Sequence, residues 1–443
     1  MVRLYSRNNR VAKICIFAAS NQNPRNMAIL VKNIKQLVQA EPKSIKFRAG
    51  KEMQNLPVID NAYLLTEGDK IKDFGRMEDF NPDILKKIKE PIEEIDATGK
   101  FVFPSFCDSH THIVYAGSRE VEYIDKIKGL SYEEIFKRGG GILNSAKRLH
   151  ETSEEELYDQ AWQRLEEMAS FGTGACEIKS GYGLTTEDEL KMLRVIRKLK
   201  ENSPMTIKAN FLGAHAVPLL YKDDPDGYVD LIINEMIPMV AAEELADFVD
   251  VFCDKGFFTV EQTERILMQG IKYGLRPKIH ANEMACSGGI QVGVKYNALS
   301  VDHLEYTGDE EIAALYKSET MPTVLPGAAF FLGMQCAPVR KMIEGGLPVA
   351  LASDFNPGSC PSGNMQLVFA MGSVMYKMLP EETVNATTIN TAYAMDVWRE
   401  LGTITKGKIA NFFITKPMDT LYYMNYAFGS NKVEQVFLRG KRG

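Results

Sequence analysis

The stretch Phe101-Val102-Phe103-Pro104-Ser105-Phe106-Cys107-Asp108-Ser109-His110-Thr111-His112 passes from an apolar, aromatic-rich segment into two histidines two residues apart. Phe101–Cys107 reads as a buried strand. On an extended chain, residues i and i+2 point to the same side, so both imidazoles can reach one metal ion. A pair of this kind is weak evidence by itself. Its position just past a strand gives it weight, because parallel barrels build their sites at strand C-termini.

Seven more strand candidates follow: Gly174–Lys179, Thr206–Leu212, Phe248–Cys253, Pro277–His280, Leu299–His303, Thr320–Leu325 and Pro348–Ala352. Helical periodicity fills most of the gaps. Leu157, Ala161, Leu165 and Met168 recur at helical spacing over Glu154–Ser170, and Leu190, Leu193, Val195, Ile196 and Leu199 do so over Glu187–Leu199. Eight strands alternating with helices predict an α/β fold, a (β/α)8 TIM-type barrel over residues 101–401. A doubly wound open sheet is the alternative.

The flanks read differently. Residues 27–100 carry short strands such as Tyr63-Leu64-Leu65, Lys70-Ile71-Lys72 and Glu94-Ile95-Asp96, with a turn at Glu67-Gly68-Asp69. Residues 402–443 carry two more, around Asn411–Ile414 and Val433–Leu438. Two β-rich ends around a different middle predict a small β-sandwich built from both ends of the chain. Residues 1–26 are an extra N-terminal segment, rich in Asn, Arg and Ser and expected to be disordered. Met27 opens a convincing strand, so translation from Met27 is a working hypothesis.

Composition narrows the function. In 443 residues, 45% are hydrophobic and 25% charged, a globular balance that excludes a wholly disordered chain. Lys plus Arg number 52 against 58 Asp plus Glu, giving a net charge of −6, so nucleic acid is a poor partner. No apolar run approaches the ~18 residues that span a bilayer. The stretch Ile14–Ser20 is too short for a secretory signal. Seven cysteines, an odd number without CxxC, fit free thiols in a reducing cytoplasm.

There are six histidines, and five of them (110, 112, 215, 280 and 303) fall at or just past a strand end. His150, in a polar helical stretch, reads as surface. Asp354 ends the eighth candidate strand. His110, His112, His280 and Asp354 make a plausible ligand set for zinc or iron, with room for one water. Glu283, three residues past His280, is placed to move protons, and His303 to polarise a carbonyl or hold the water. Arg119, seven residues past His112, could clamp a carboxylate. Each has a plainer reading: Asp354 as a helix cap, His280 as a core residue, Glu283 as a solvated acid, Arg119 as a surface cation. Lys179-Ser180-Gly181-Tyr182-Gly183 and Asp354-Phe355-Asn356-Pro357-Gly358-Ser359 each follow a strand, and such loops can bring backbone N–H groups to a small polar ligand. Gly139-Gly140-Gly141 reads as a turn. Lys255 reads as exposed, which favours one metal over two. No phosphate-loop or dinucleotide motif occurs.

From about residue 27 onward the chain resembles the amidohydrolase superfamily, and within it the imidazolonepropionase family. Ser109–His112, His280-Ala281-Asn282-Glu283, Val301-Asp302-His303-Leu304-Glu305 and Ser353–Gly358 carry the likeness. The Lys179–Leu184 and Gly213-Ala214-His215 segments are more specific. The resemblance implies a homodimer with one zinc or iron per subunit, zinc favoured, held by His110, His112, His280 and Asp354. It implies substrate contacts from Arg119, Tyr132, Tyr182, His215, Asn356, Gly358 and Ser359. The implied reaction is hydrolysis of the cyclic amide of 4-imidazolone-5-propanoate, a small carboxylate-bearing molecule of histidine breakdown. Asp354 would then act as base, His303 at the oxyanion and Glu283 as proton relay. One departure lies in the C-terminal segment, where Asn411 stands at a position usually occupied by Asp. A cyclic amidine or nucleobase deaminase is the alternative activity, and a catalytically dead scaffold the alternative class.

Overall fold

A computed structural model describes residues 27–130, 134 and 140–443. The segment 1–26 and Tyr132 lie outside the described residues, as does Gly139.

The described residues open in a sheet. β1 (Ala28–Val38), β2 (Val58–Glu67), β3 (Lys70–Arg76), β4 (Ile92–Asp96) and β5 (Phe101–Pro104) come first. The barrel follows with β6 (Phe106–Thr111), β7 (Thr173–Lys179), β8 (Thr206–Ala214), β9 (Phe248–Cys253), β10 (Arg276–Ala281), β11 (Ser300–His303), β12 (Met321–Val324) and β13 (Ala350–Leu351). The last strands, β14 (Phe412–Thr415), β15 (Val433–Leu438) and β16 (Lys441–Arg442), return to the first sheet.

In that sheet β1 is the hub. Its first half pairs with β4, its second half with β5, and its other edge with β2. β14 joins through β5, so both chain ends share one apolar core that includes Ile29, Val31, Leu64, Phe412, Ile414 and Phe437. Phe412 and Phe437 stack at 4.6 Å between ring centroids. This is the expected sandwich unit. Asn411 ties it to the barrel: its amide donates to Gly174 O at 3.0 Å and accepts from Arg439 N at 2.8 Å.

The eight barrel strands run parallel in sequential order, from β6 to β13. That order excludes the doubly wound alternative, which needs a reversal of strand order. One expectation needs correcting. Phe101–Cys107 is two strands in two sheets, divided at Ser105. Pro104 has no N–H to extend a ladder, and β5 pairs it with Phe412 of β14. Ser105 N then donates to Asn411 O, and Phe106 N to Gly172 O, which starts the barrel. Phe103 and Phe106 both pack against Phe413, so the apolar run is continuous although the sheet is not.

The helices start where their caps dictate. Ser153 accepts from Glu156 N ahead of Glu154–Ser170, and Thr185 from Asp188 N ahead of Thr186–Asn202. Leu157, Ala161, Leu165 and Met168 are all buried, as their spacing requires. No described helix is long and apolar enough to cross a membrane.

Candidate active site

The barrel closes at the seam between its first and last strands, and the closure assembles the site. Asp354 N donates to His110 O at 3.0 Å and His112 N to Phe355 O at 2.9 Å. Asp108 pins the same seam, accepting from Ser353 N at 3.0 Å and Ser353 Oγ at 2.5 Å. The residues after β13 therefore lie beside the His110-Thr111-His112 strand end. Asp354 Oδ1 stands 3.6 Å from His110 Nε2 and 3.6 Å from His112 Nε2. His280 comes from β10, with its ring centroid 4.5 Å from that of His110.

The inner ring positions hold carboxylates behind these imidazoles. His110 Nδ1 lies 2.6 Å from Asp302 Oδ2, and His280 Nδ1 lies 3.0 Å from Asp250 Oδ1. An ionised carboxylate only accepts, so each Nδ1 carries the hydrogen and each Nε2 presents a lone pair to the cavity. Lys179 Nζ joins Glu177 Oε1 at 2.5 Å and Asp250 Oδ2 at 2.8 Å, and Lys278 Nζ contacts Glu177 and Ser109 O. These two lysines and three acids are fully buried. Lys179 and His280 hold Asp250 well below the carboxylate range, overcoming the opposing effect of burial. Burial is the first cause that keeps His110, His112 and His303 well below the usual histidine value, and neutral imidazole is the ligating form.

The donor set fits a metal ion. The ligand atoms of His110, His112 and Asp354 lie within 4.8 Å of one another, as do those of His110, His280 and His303. His280 Nε2 is buried with no hydrogen-bond partner among the described residues. His112 Nε2 and His110 Nε2 face each other at 3.3 Å. A cation between these lone pairs would satisfy all of them at once.

Beside this cluster, His303 Nε2 lies 3.7 Å from Glu283 Oε2. Glu283 is not the solvated loop acid of the plainer reading, since its side chain is only 13% exposed. Its backbone is held by Asp254, which accepts from Glu283 N at 2.7 Å and Met284 N at 2.9 Å. Burial, then the charges of Asp354 and Asp254, push Glu283 up to about 8. Burial raises Asp354 to about 7. His303 and Asp354 both adopt positive φ, 88° and 55°, a conformation unusual for such residues and concentrated at functional sites.

A cavity of about 140 Å³ opens over the cluster, lined by His112, His280, Glu283, His303 and Asp354 on one side. Arg119, Tyr182, His215, Asn356, Gly358 and Ser359 line the rest, with Phe252, Phe257 and Met334 among the apolar walls. His110 lies deeper. The structure thus brings together every described candidate, while Lys255 and His150 are exposed and apart. A larger cavity of about 310 Å³, near Lys35 and Tyr422, holds no comparable cluster. Arg119 Nε donates to Glu122 Oε2 at 2.8 Å, and its guanidinium packs on Gly358, where an added Cβ would sit 2.2 Å from Nη1.

The two glycine-containing loops behave differently from expectation. Gly181 N, Gly183 N and Leu184 N all donate to the Glu189 carboxylate, at 3.0, 2.7 and 3.0 Å. Gly358 N and Ser359 N donate to Asn356 Oδ1 at 2.7 and 2.8 Å. These backbone donors stiffen their own loops and are not offered to a ligand. The side chains they position face the cavity instead, and His215 Nδ1 lies 3.0 Å from Gly181 O. Sequence reading missed Asp250, Asp254, Lys278, Glu122 and Lys126. For the first three a signal existed: charged residues inside or ending apolar strand runs.

Residues 280–443 match the Amidohydrolase family. Among solved structures, guanine deaminase from E. coli aligns with a TM-score of 0.69 at 14% identity, over 94% of this chain and 98% of that one. A triazine hydrolase variant aligns with a TM-score of 0.72 at 13% identity, over 94% of each chain. Barrel, sandwich and His/Asp cluster define an amidohydrolase. The imidazolonepropionase of Flavobacterium johnsoniae is 57% identical over 415 residues, 94% of this chain and 100% of that protein. Those of Christiangramia forsetii and Alkaliphilus oremlandii are 54% and 42% identical, over 94% of this chain and 100% and 98% of theirs. The chain belongs to the imidazolonepropionase family.

Proposed function

We propose that the chain hydrolyses the ring C–N bond of 4-imidazolone-5-propanoate to give N-formimidoyl-L-glutamate, a step of histidine degradation. The observation that carries the assignment at this site is the pairing of the His/Asp cluster with Arg119 across one small cavity. A nucleobase deaminase has no carboxylate to clamp, so Arg119 favours the propanoate-bearing lactam.

His110, His112, His280 and Asp354 would hold a metal ion, zinc in preference to iron, which would supply Lewis acidity and lower the pKa of a water toward neutrality. Asp354 is placed to take the proton of the attacking water as the new C–O bond forms at the ring carbonyl carbon. His303 faces the carbonyl oxygen as charge develops there. Glu283, protonated at neutral pH, delivers a proton to the leaving ring nitrogen as the C–N bond breaks. Arg119 seats the propanoate, Tyr182 and His215 flank the ring, and Asn356, Gly358 and Ser359 shape the opposite wall. Tyr132 is assigned to the propanoate by family resemblance. The protein acts as a homodimer in the cytoplasm; free buried thiols at Cys107, Cys176, Cys253 and Cys360 support a reducing compartment.

The test is direct turnover. Purified metal-replete protein is mixed with fresh 4-imidazolone-5-propanoate, the loss of ultraviolet absorbance is followed, and the product is identified by mass. Enzyme-dependent loss with formimidoylglutamate appearing, abolished in Asp354→Asn, supports the reading. Absence of loss overturns it and directs the next screen to cyclic amidines.

A further inference from the structure

Arg119, Lys126 and Gly358 line two cavities at once. One is the active-site cavity. The other, of about 300 Å³, is lined by Tyr115, Tyr123 and Phe331 among others. These three residues form the partition between them. The helix Glu120–Ile127 carries Lys126 seven positions after Arg119, which returns it to the same helix face.

The charge balance of the partition is uneven. Glu122 already neutralises Arg119, and Glu122 is itself fixed by Asn144 Nδ2 at 2.7 Å and Gly141 N at 2.9 Å. The Arg119–Glu122 pair therefore offers geometry to an incoming carboxylate but no net charge. Lys126 makes no ion pair among the described residues, and its Nζ rests 3.4 Å from Gly358 O. It is partly buried, and burial, with Arg119 nearby, lowers its pKa from the usual lysine value. Glu122 acts on both cations, but one carboxylate against two cations leaves this cluster, among the described residues, with one net positive charge that is partly desolvated and costly to hold. That cost is recovered when an anion arrives.

We infer that Lys126 is a second cation of the substrate clamp: Arg119 orients the substrate carboxylate and Lys126 supplies the net positive charge that selects it. The inference rests on the function proposed above and deepens it by making one residue responsible for charge selectivity.

The experiment compares metal-replete wild type, Lys126→Met, Lys126→Gln and Lys126→Arg on two substrates, 4-imidazolone-5-propanoate and its neutral propanamide. Lys126→Met and Lys126→Gln are expected to raise KM for the propanoate roughly 10- to 100-fold with kcat little changed. Both should lose far less kcat/KM on the propanamide than on the propanoate, and Lys126→Arg should restore most of the affinity. Raising the ionic strength should weaken wild-type binding more than that of Lys126→Met. An unchanged KM in the two neutral variants, or equal losses on both substrates, overturns the inference. Failure of the wild type to turn over the propanoate overturns the functional reading instead, so the two failures are distinguishable.

Discussion

Lys179 Nζ lies 2.8 Å from Asp250 Oδ2, in the closed floor of the barrel, while the other oxygen of Asp250 faces His280 Nδ1. A charge with no access to solvent is thus linked through Asp250 to the His280 imidazole, and the Asp250 carboxylate fixes the tautomer of that ring. Asn210 Nδ2 donates to the same Oδ2 at 2.9 Å, so Asp250 has no freedom to reorient.

This arrangement predicts that Asp250→Asn loses metal more readily. An amide can present its NH₂ to His280 and disturb the tautomer, and it leaves Lys179 short of one carboxylate. Metal affinity should fall by roughly 10- to 100-fold, as for other partners of ligating histidines. Zinc retention during titration with a competing chelator measures this. Retention equal to wild type would show that the floor network is structural only.

The pH dependence follows from Glu283. Its folded pKa is raised to about 8, so the carboxyl holds its proton at pH 7 and loses it as pH rises through about 8. A general acid acts in the protonated form, so kcat is expected to fall on the alkaline side of about 8. Glu283→Gln should lower kcat by about 10²- to 10⁴-fold and remove that limb. A limb that persists in the variant assigns the ionisation to another group.

Gly358→Ala tests the clamp from the opposite wall. The new Cβ would stand 2.2 Å from Arg119 Nη1, and the guanidinium must shift. A misplacement of about 1 Å can cost on the order of 100-fold. The expectation is a raised KM for the propanoate with an almost unchanged melting temperature. Arg119→Met should give a similar loss, and the double variant little more, because both act through one contact. Additive losses would separate the two residues.

Asn411→Asp bears on stability alone. The amide donates to Gly174 O and accepts from Arg439 N, and a carboxylate can do only the second. A buried carbonyl left without its donor costs about 1–3 kcal/mol. Chemical denaturation should show that loss, with kcat/KM at 25 °C unchanged. Equal stability would mean that the neighbouring backbone moves to satisfy Gly174.

Much of the site was legible because its residues sit at strand ends, where a local pattern reports both element and position. The HxH pair, His280, His303 and Asp354 each close an apolar run, and strand ends in a parallel barrel share one face. Asp254 follows β9 by the same rule, but no motif marks it. Lys126 and Glu122 were not legible, since an exposed-looking helix gives no sign of which turn faces a cavity.

The sequence alone determined the count and order of the barrel strands, the helix faces and the identity of the clustered histidines. These follow from periods of two and 3.6 residues and from side-chain chemistry, which are local properties. Tertiary structure decided where the continuous run from Phe101 to Cys107 changes sheets, because Ser105 chooses Asn411, a partner about three hundred residues away. It decided that the Gly181 and Gly183 amides serve Glu189 and not a ligand. It also decided that Asp354 meets His110 and His112, through closure of the seam between β6 and β13. A donor's choice among distant acceptors depends on which ones packing brings within 3 Å, and a local pattern does not contain that distance.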